Sequence, residues 1–185
     1  ALSGMSGKDE ETAKAYGTLV HLALERLAPY EPDDRAKMIP HIFPQDPAQS
    51  QQHQLAISEA MTVLSAPHLA QFFGPESLAE VSISANLGAQ RIHGAIDRLM
   101  VGDDRVLAID FKSNAIVPET PQNCPIGLLR QMGAYAHALA QIYPDRHIET
   151  AIIWTANASL MPLDPLIVQS ALESMPYLDE EGPDT

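Results

Sequence analysis

The chain has 185 residues, 45% of them apolar and 19% charged, which is enough apolar material for one packed domain. Lys and Arg number 11 against 24 Asp and Glu, and the net charge of −13 argues against a free-standing nucleic-acid binder with a basic surface. No apolar run approaches the roughly 18 residues of a membrane span. The single cysteine excludes an internal disulfide and four-cysteine zinc or iron–sulfur sites, and it favours a reducing cytoplasm.

The charge is unevenly distributed along the chain. Residues 164–185 hold six acidic residues and no basic one, whereas residues 89–112 hold four of each sign. We therefore expect a single domain over 1–185, with a core at about 9–175 and an acidic tail at 179–185. Since the chain begins with Ala1 rather than Met, we expect it to be part of a longer protein.

Apolar periodicity and turn residues predict the elements in chain order. The N-terminal part is predicted to hold a helix ending before Pro29, a proline-interrupted region at 30–47 with one short helix at most, a helix over 47–65 and one or two turns at 67–73. Three strands follow, over 79–87, 90–101 and 106–112, and then a loop over 113–125. The C-terminal part is predicted to hold a helix over 126–142, strands over 150–155 and 160–163, a helix over 165–175 and a frayed tail over 180–185. This order predicts an α/β fold, a mixed β-sheet flanked by helices.

The hairpin of the second and third strands carries the first candidate site. Asp110 and Lys112 are two residues apart in a strand, so both point to one face. If the turn is Asp103-Asp104, or the four residues 102–105, the register places Asp97 directly opposite Asp110. A turn at Gly102-Asp103 would make the two acids diagonal neighbours on the same face, and a three-residue loop would separate them unless a bulge restored the pairing.

Two facing carboxylates repel unless a proton or a cation lies between them. Carboxylate oxygens suit Mg²⁺ or Mn²⁺, and Lys112 beside such an ion could hold or deprotonate a water molecule. This arrangement suits phosphodiester hydrolysis. The alternative is a surface hairpin in which Asp97 pairs with Arg91 or Arg98 and Lys112 is solvated.

Two helices carry polar residues at a spacing of four. On the first, Gly17, His21 and Glu25 share a face: His21 could bind a metal, Glu25 could orient it, and Gly17 leaves room for a close approach. On the later helix, Gln131 and Tyr135 could support a phosphate or stack on a base. In the alternative readings His21 is an ordinary half-buried histidine, Tyr135 belongs to the core and Gln131 is solvated.

Taken in order, these patterns resemble the nuclease module of the RecB-like branch of the PD-(D/E)XK superfamily, and within it the C-terminal domain of bacterial AddA-type helicase–nuclease subunits. The resemblance covers residues 12–163 and rests on four motifs: Gly17-x-x-x-His21-x-x-x-Glu25, Gly94-x-Ile96-Asp97-Arg98, Ile109-Asp110-Phe111-Lys112 and Gln131-x-x-x-Tyr135.

The resemblance implies a restriction-endonuclease-like fold and Mg²⁺-dependent DNA cleavage, with Mn²⁺ as a substitute. It implies metal ligation by His21, Asp97, Asp110 and the backbone carbonyl of Phe111. Catalytic roles fall to Asp97, Asp110 and Lys112, and supporting or DNA-contacting roles to Gln131, Tyr135, Glu25 and Gly17. Glu80, at a strand start, is a further acid of interest.

The resemblance also implies partners: single-stranded or unwound DNA, helicase domains of the same parent chain and an AddB-like subunit, acting in double-strand break repair in the bacterial cytoplasm, with no membrane. An iron–sulfur cluster is excluded by the single cysteine, and a nucleotide site by the lack of a GxxxxGK[ST] loop. Two other functions stay open: a catalytically weak scaffold or DNA-binding module of a repair complex, and a Mg²⁺ phosphohydrolase acting on nucleotides.

Overall fold

The computed structural model describes residues 7–44 and 50–174. The predictions for residues 47–49, for Met175 and for the acidic tail therefore lie outside the described residues. Internal contacts divide the chain into two compact units. The first comprises Ala1–Pro75, Phe111–Val117 and Ile153–Ser159, and the second comprises Glu76–Asp110, Pro118–Ile152 and Leu160–Thr185.

The helices of the first unit follow the predicted order. They are α1 (Gly7–Leu27), α2 (Pro32–Ile42), α3 (Ser50–Ser65) and a 3-10 segment (Pro67–Phe73). The region expected to be mostly loop contains an 11-residue helix, α2. Its first position is Pro32, which needs no N–H partner there, and Asp33 and Asp34 follow in the first turn, where negative charge is favoured. Pro32 therefore starts this helix, and Pro40 lies inside its last turn.

Arg35 of α2 is buried, with 7% of its surface exposed, and it joins three elements of the first unit. Its guanidinium donates to the carbonyl of Ala28 just after α1, to that of Leu64 near the end of α3, and to that of Tyr30. A cation at a helix C-terminus satisfies carbonyls that have no partner within the helix. Burial lowers the pKa of Arg35, an effect that the nearby charge of Glu31 opposes.

Five strands form one sheet in the order β1-β2-β3-β4-β5. They are β1 (Ser77–Leu87), β2 (Gln90–Val101), β3 (Arg105–Lys112), β4 (His147–Trp154) and β5 (Ser159–Leu163). β1, β2 and β3 pair antiparallel. The N–H of His147 donates to the carbonyl of Asp104, and that of Thr155 to the carbonyl of Lys112, and both pairs are 43 positions apart. This constant offset makes β4 parallel to β3, so the sheet is mixed as predicted.

The helices of the second unit are α4 (Ile126–Ile142) and α5 (Pro165–Glu173), with a short 3-10 turn at Pro121–Asn123 before them. α4 packs against α5 and lies close to it at Gly133, where an added Cβ would lie 2.3 Å from the carbonyl oxygen of Val168. The architecture is the α/β, restriction-endonuclease-like fold expected from the sequence. Among the described residues, no helix is long and apolar enough to cross a membrane.

Candidate active site

The acid pair lies in the hairpin of β2 and β3, within the second unit. The register of β2 and β3 pairs Arg98 with Ile109 and Val101 with Val106, and the N–H of Gly102 donates to the carbonyl of Arg105 at 2.8 Å. One more step along both strands brings Asp97 opposite Asp110. This is the register that the Asp103-Asp104 turn and the four residues 102–105 both predict, and the Gly102-Asp103 turn is wrong.

Both acids of the pair are buried. Asp97 is 7% exposed and Asp110 is 3% exposed, although each is one of the most polar residue types. Opposite residues in an antiparallel pair have Cβ atoms about 4.5–5.5 Å apart, so the two carboxyl groups share one region of the sheet. Two buried carboxylates this close favour a cation or a proton between them. The alternative of a solvated surface hairpin does not fit these exposures.

A third acid lies on the neighbouring strand. β1 pairs with β2 in one register on both sides of Glu80, since Ala79 pairs with Arg98 and Val81 with Ile96. Glu80 therefore comes opposite Asp97 at a point where its own φ is +50°, in the left-handed region that non-glycine residues rarely adopt. The strand backbone is distorted where it faces the acid pair.

Tyr135 of α4 lies near all three acids. Its phenol is 6% exposed and donates to the carbonyl of Ala95 in β2 at 2.8 Å. Burial raises the pKa of Tyr135, and the charges of Asp110, Asp97 and Glu80 raise it further, against the opposing effect of a hydrogen bond from Gln131. Tyr135 therefore stays a neutral hydrogen-bond donor, anchored to the strand that carries Asp97.

Gln131 and Gly94 support the position of this phenol. The amide of Gln131 donates to the Tyr135 oxygen at 2.9 Å, one helical turn away. A Cβ at Gly94 would lie 2.8 Å from the Tyr135 ring, so only glycine leaves room for the ring in this place. Gln131 and Tyr135, which the sequence places four residues apart on one helix face, are therefore in contact.

His21 of α1 meets the end of β3 within the first unit. Its Nε2 lies 2.9 Å from the carbonyl oxygen of Phe111, and its ring packs edge-on against the Phe111 ring at 5.7 Å between centroids. Phe73 stacks on the Phe111 ring, also at 5.7 Å between centroids. The two groups predicted to bind metal in this unit, the imidazole and the Phe111 carbonyl, are thus brought together.

The other two residues of the α1 motif differ: Gly17 lies close to another segment, and Glu25 is exposed. A Cβ at Gly17 would lie 2.7 Å from Oγ of Ser113, so the close approach that the glycine was predicted to permit is made by the segment just after β3. Glu25 is exposed, one turn after His21. Its predicted role in orienting the imidazole stays a prediction.

The backbone of Lys112 is held by residues that the sequence patterns did not single out. Thr155, which is 1% exposed, donates its N–H to the Lys112 carbonyl at 2.9 Å. Oγ1 of Thr155 lies 2.6 Å from Oε1 of Glu59, and the hydroxyl of Tyr16 donates to Oε2 of Glu59 at 2.5 Å. The sequence did carry a sign that Glu59 has a partner, because this acid lies on the face of α3 that holds three buried residues: Ala56, Ala60 and Val63.

The donors present suit a hard divalent cation. The second unit offers two buried carboxylates in register, and the first offers an imidazole nitrogen beside a backbone carbonyl. Over residues 7–44 and 50–174, no three side chains of His, Cys, Asp or Glu form a ready-made metal cage. Mg²⁺ does not require one, because it is usually held by one or two carboxylates together with water and substrate phosphate oxygens.

Comparisons with known proteins agree with this geometry. A family model described as the PD-(D/E)XK nuclease superfamily matches residues 2–181. A crystal structure of a candidate exonuclease from Eubacterium rectale is similar over 94% of this chain and 65% of that one, with a TM-score of 0.62 and 15% identity. This chain thus spans under two thirds of that protein. A second solved structure, SSO0001, is 16% identical over 96% of this chain and 89% of that chain, at a TM-score of 0.35, too low to support a common fold. No curated protein matches the chain.

Proposed function

This chain belongs to the PD-(D/E)XK nuclease superfamily, and from that premise we propose that it is a divalent-metal-dependent deoxyribonuclease. The observation that carries the proposal is the register of β2 and β3. It pairs Arg98 with Ile109 and, continued by one step, sets the buried Asp97 opposite the buried Asp110, with Lys112 two residues further along β3. Burying two facing carboxylates in a sheet costs free energy unless they are paired, and a bound metal ion would supply that pairing.

The proposed ligands are the carboxylates of Asp97 and Asp110, the carbonyl of Phe111 and the imidazole of His21, for Mg²⁺ or for Mn²⁺ as a substitute. Oxygen donors predominate in this set, as hard divalent cations require. In the structure the His21 nitrogen and the Phe111 carbonyl contact each other, so in the proposal a bound ion replaces that contact. The single cysteine leaves no iron–sulfur cluster to propose.

The reaction we propose is attack of water on a DNA phosphorus, with cleavage of one phosphate ester bond. A bound divalent ion would polarise the phosphate and acidify the attacking water. Lys112 orients that water or stabilises charge on the phosphoryl oxygens, and its half-buried position is compatible with contact to substrate. Tyr135 and Gln131 act indirectly, by fixing the strand that carries Asp97.

We further propose that the chain acts in double-strand break repair, as the C-terminal nuclease part of an AddA-like helicase–nuclease chain with an AddB-like partner. Support comes from the order of the four motifs, which follows the RecB-like pattern. The net charge of −13 also supports it, because an acidic nuclease module would depend on other domains to hold single-stranded or unwound DNA.

The same charge favours a second candidate, a scaffold or DNA-binding module with negligible catalysis. Calorimetric titration of the metal-free chain with Mn²⁺ separates the two, because a scaffold has no need to bind metal at the acid pair. A nuclease should bind Mn²⁺, and Asp97→Asn should abolish the binding. Binding that is equal in wild type and Asp97→Asn would favour the scaffold.

The activity itself is tested by hydrolysis of labelled single-stranded DNA with Mg²⁺ or Mn²⁺. We expect Asp110→Asn and Lys112→Ala each to lower the rate by about 10²- to 10³-fold. Matched controls are Asp103→Asn, an exposed acid in the same hairpin, and Lys37→Ala, an exposed lysine paired with Asp34. Wild-type rates in both site variants would refute the mechanism. A panel that includes nucleotides tests the remaining alternative of a nucleotide phosphohydrolase.

A further inference from the structure

We infer that Glu59 is a positioning residue for Lys112, acting through Thr155; this inference rests on the proposed nuclease function. Every contact that carries it lies within the first unit. Glu59 is on α3, Thr155 directly follows β4, and Lys112 ends β3. No motif discussed above contains Glu59 or Thr155.

The first step concerns the hydroxyl of Thr155. Its oxygen lies 2.6 Å from Oε1 of Glu59 and 3.2 Å from the carbonyl oxygen of Lys112. A hydroxyl has one proton, and the shorter contact is to a carboxylate, which forms the stronger bond. The hydroxyl therefore donates to Glu59, which leaves the Thr155 N–H, at 2.9 Å, as the donor to Lys112.

The second step concerns the other carboxylate oxygen. Oε2 of Glu59 accepts the hydroxyl proton of Tyr16 at 2.5 Å. Burial, then the hydrogen bond to Glu59 and its charge, hold the pKa of Tyr16 well above its ordinary value, so the phenol remains a donor. The carboxylate of Glu59 is thus clamped between two O–H donors, one from α1 and one from the residue that holds Lys112.

The third step connects this clamp to the proposed site. One turn of α1 around Tyr16 also carries Gly17, which contacts Ser113, and His21 lies on the next turn against the Phe111 carbonyl. α1 and the segment 111–113 therefore meet at two residues of that segment, Phe111 and Ser113, on either side of Lys112. Glu59 fixes the same two elements from a third, and loss of its charge should let Lys112 shift relative to the substrate.

The enzymatic test measures kcat and KM for single-stranded DNA at saturating Mn²⁺ in the full chain. We expect Glu59→Gln and Thr155→Val to lower kcat by about 10- to 100-fold with KM within about twofold, because small misplacements of a catalytic group cost this much. Thr155→Ser keeps the hydroxyl and should restore kcat. The control is Thr62→Ala, which removes an exposed hydroxyl of the same helix that donates to the Ser58 carbonyl.

Epistasis with Lys112→Ala distinguishes positioning from a general structural role. If Glu59 acts through Lys112, Glu59→Gln should have no further effect on kcat in the Lys112→Ala background. Independent, multiplying losses would overturn the inference. So would wild-type kcat in Glu59→Gln and Thr155→Val while Lys112→Ala is impaired. If wild type lacks metal-dependent nuclease activity, or Lys112→Ala equals wild type, the proposed function fails and this inference fails with it.

A spectroscopic measurement on the metal-free chain needs no activity. The carbonyl ¹³C resonance of Lys112 reports the hydrogen bond it accepts, and we expect Glu59→Gln to shift it while Thr62→Ala does not. If Glu59→Gln does not fold, the comparison of Thr155→Val with Thr155→Ser decides in its place. An unmoved resonance in a folded Glu59→Gln or Thr155→Val variant would overturn the inference.

Discussion

Two helices of this protein, α1 and α4, make the same kind of contact with the sheet through different side chains. α1 and α4 each place a polar side chain against the backbone carbonyl of a strand: His21 lies 2.9 Å from the carbonyl of Phe111, and Tyr135 donates to that of Ala95 at 2.8 Å. Each residue follows another motif residue by four positions. In sequence the two patterns are alike.

Burial and donor chemistry separate them. The imidazole of His21 is half-buried, and its nitrogen can exchange a hydrogen bond for a metal ion. The phenol of Tyr135 is 6% exposed, its pKa is raised chiefly by burial, and it can only keep its proton. We therefore call the His21 contact exchangeable, because the proposed function requires its nitrogen to bind a metal ion instead, and the Tyr135 contact fixed.

The largest expected effect is on the exchangeable contact. His21→Ala should lower DNA hydrolysis and Mn²⁺ affinity by about 100-fold, because a proposed ligand is lost. Unfolding free energy should change by less than about 1.5 kcal/mol, since one hydrogen bond is removed. Calorimetry and denaturant titration measure the two quantities. A large loss of stability with unchanged Mn²⁺ affinity would place His21 with the fixed contacts.

The next largest effect is expected on stability, at the contact of α4 with α5. Gly133→Ala should destabilise the protein by about 1–3 kcal/mol, because its Cβ would meet the Val168 carbonyl at 2.3 Å. Gly127→Ala is the matched control in the same helix, with nothing within 4 Å of its Cβ. It should stabilise by up to about 1 kcal/mol through helix propensity. Equal effects of the two changes in urea unfolding would contradict the close approach of α4 and α5.

The fixed contact comes third. Tyr135→Phe leaves the ring but removes the donor to Ala95, and should cost about 1–2 kcal/mol of unfolding free energy. Hydrolysis should fall far less than in His21→Ala, because Tyr135 acts only by holding β2. Gln131→Ala, which removes a donor to the same phenol oxygen, serves as the milder comparison. A loss of Mn²⁺ binding in Tyr135→Phe, at full stability, would move this residue to the exchangeable class.

The smallest effect is expected at the glycine of α1. Gly17→Ala brings a Cβ within 2.7 Å of Ser113 Oγ, but a serine hydroxyl can rotate away. This strain opposes a helix-propensity gain of about 1 kcal/mol, so the net change should be under about 1 kcal/mol. In a Ser113→Ala background the same change should stabilise. If it destabilises there too, the contact involves more than the hydroxyl.

Most of the fold was predictable because apolar period and turn residues act locally. β2 and α4 match their predicted bounds, and β1 begins at Ser77, two residues before the predicted start at 79. Residues 30–47, expected to be mostly loop with one short helix at most, contain the 11-residue α2. Pro32 reads as a breaker in sequence, but a proline at the first position of a helix costs little. The residues that pair β3 with β4 are far apart in the chain, and no local pattern encodes them.

The candidate site was predictable where one element carries it and hidden where elements must meet. The register of Asp97 with Asp110 follows from the length of one hairpin. The Glu59 clamp does not, because Tyr16, Glu59 and Thr155 come from three distant segments. A carboxylate among buried residues of a helix indicates only that some partner exists, and the distortion at Glu80 leaves no trace in residue type.

The turn at 102–105 acts as a spacer that decides which residues of β2 and β3 face each other across the hairpin. Removing a single residue from 102–105 would shift the pairing by one and rotate one acid of the pair to the far side of the sheet, with both aspartates still present in the sequence. Homologous chains that retain both acids should therefore change this loop in steps of two, or carry a compensating bulge. Loop parity, rather than residue identity alone, is what a search for active relatives should examine.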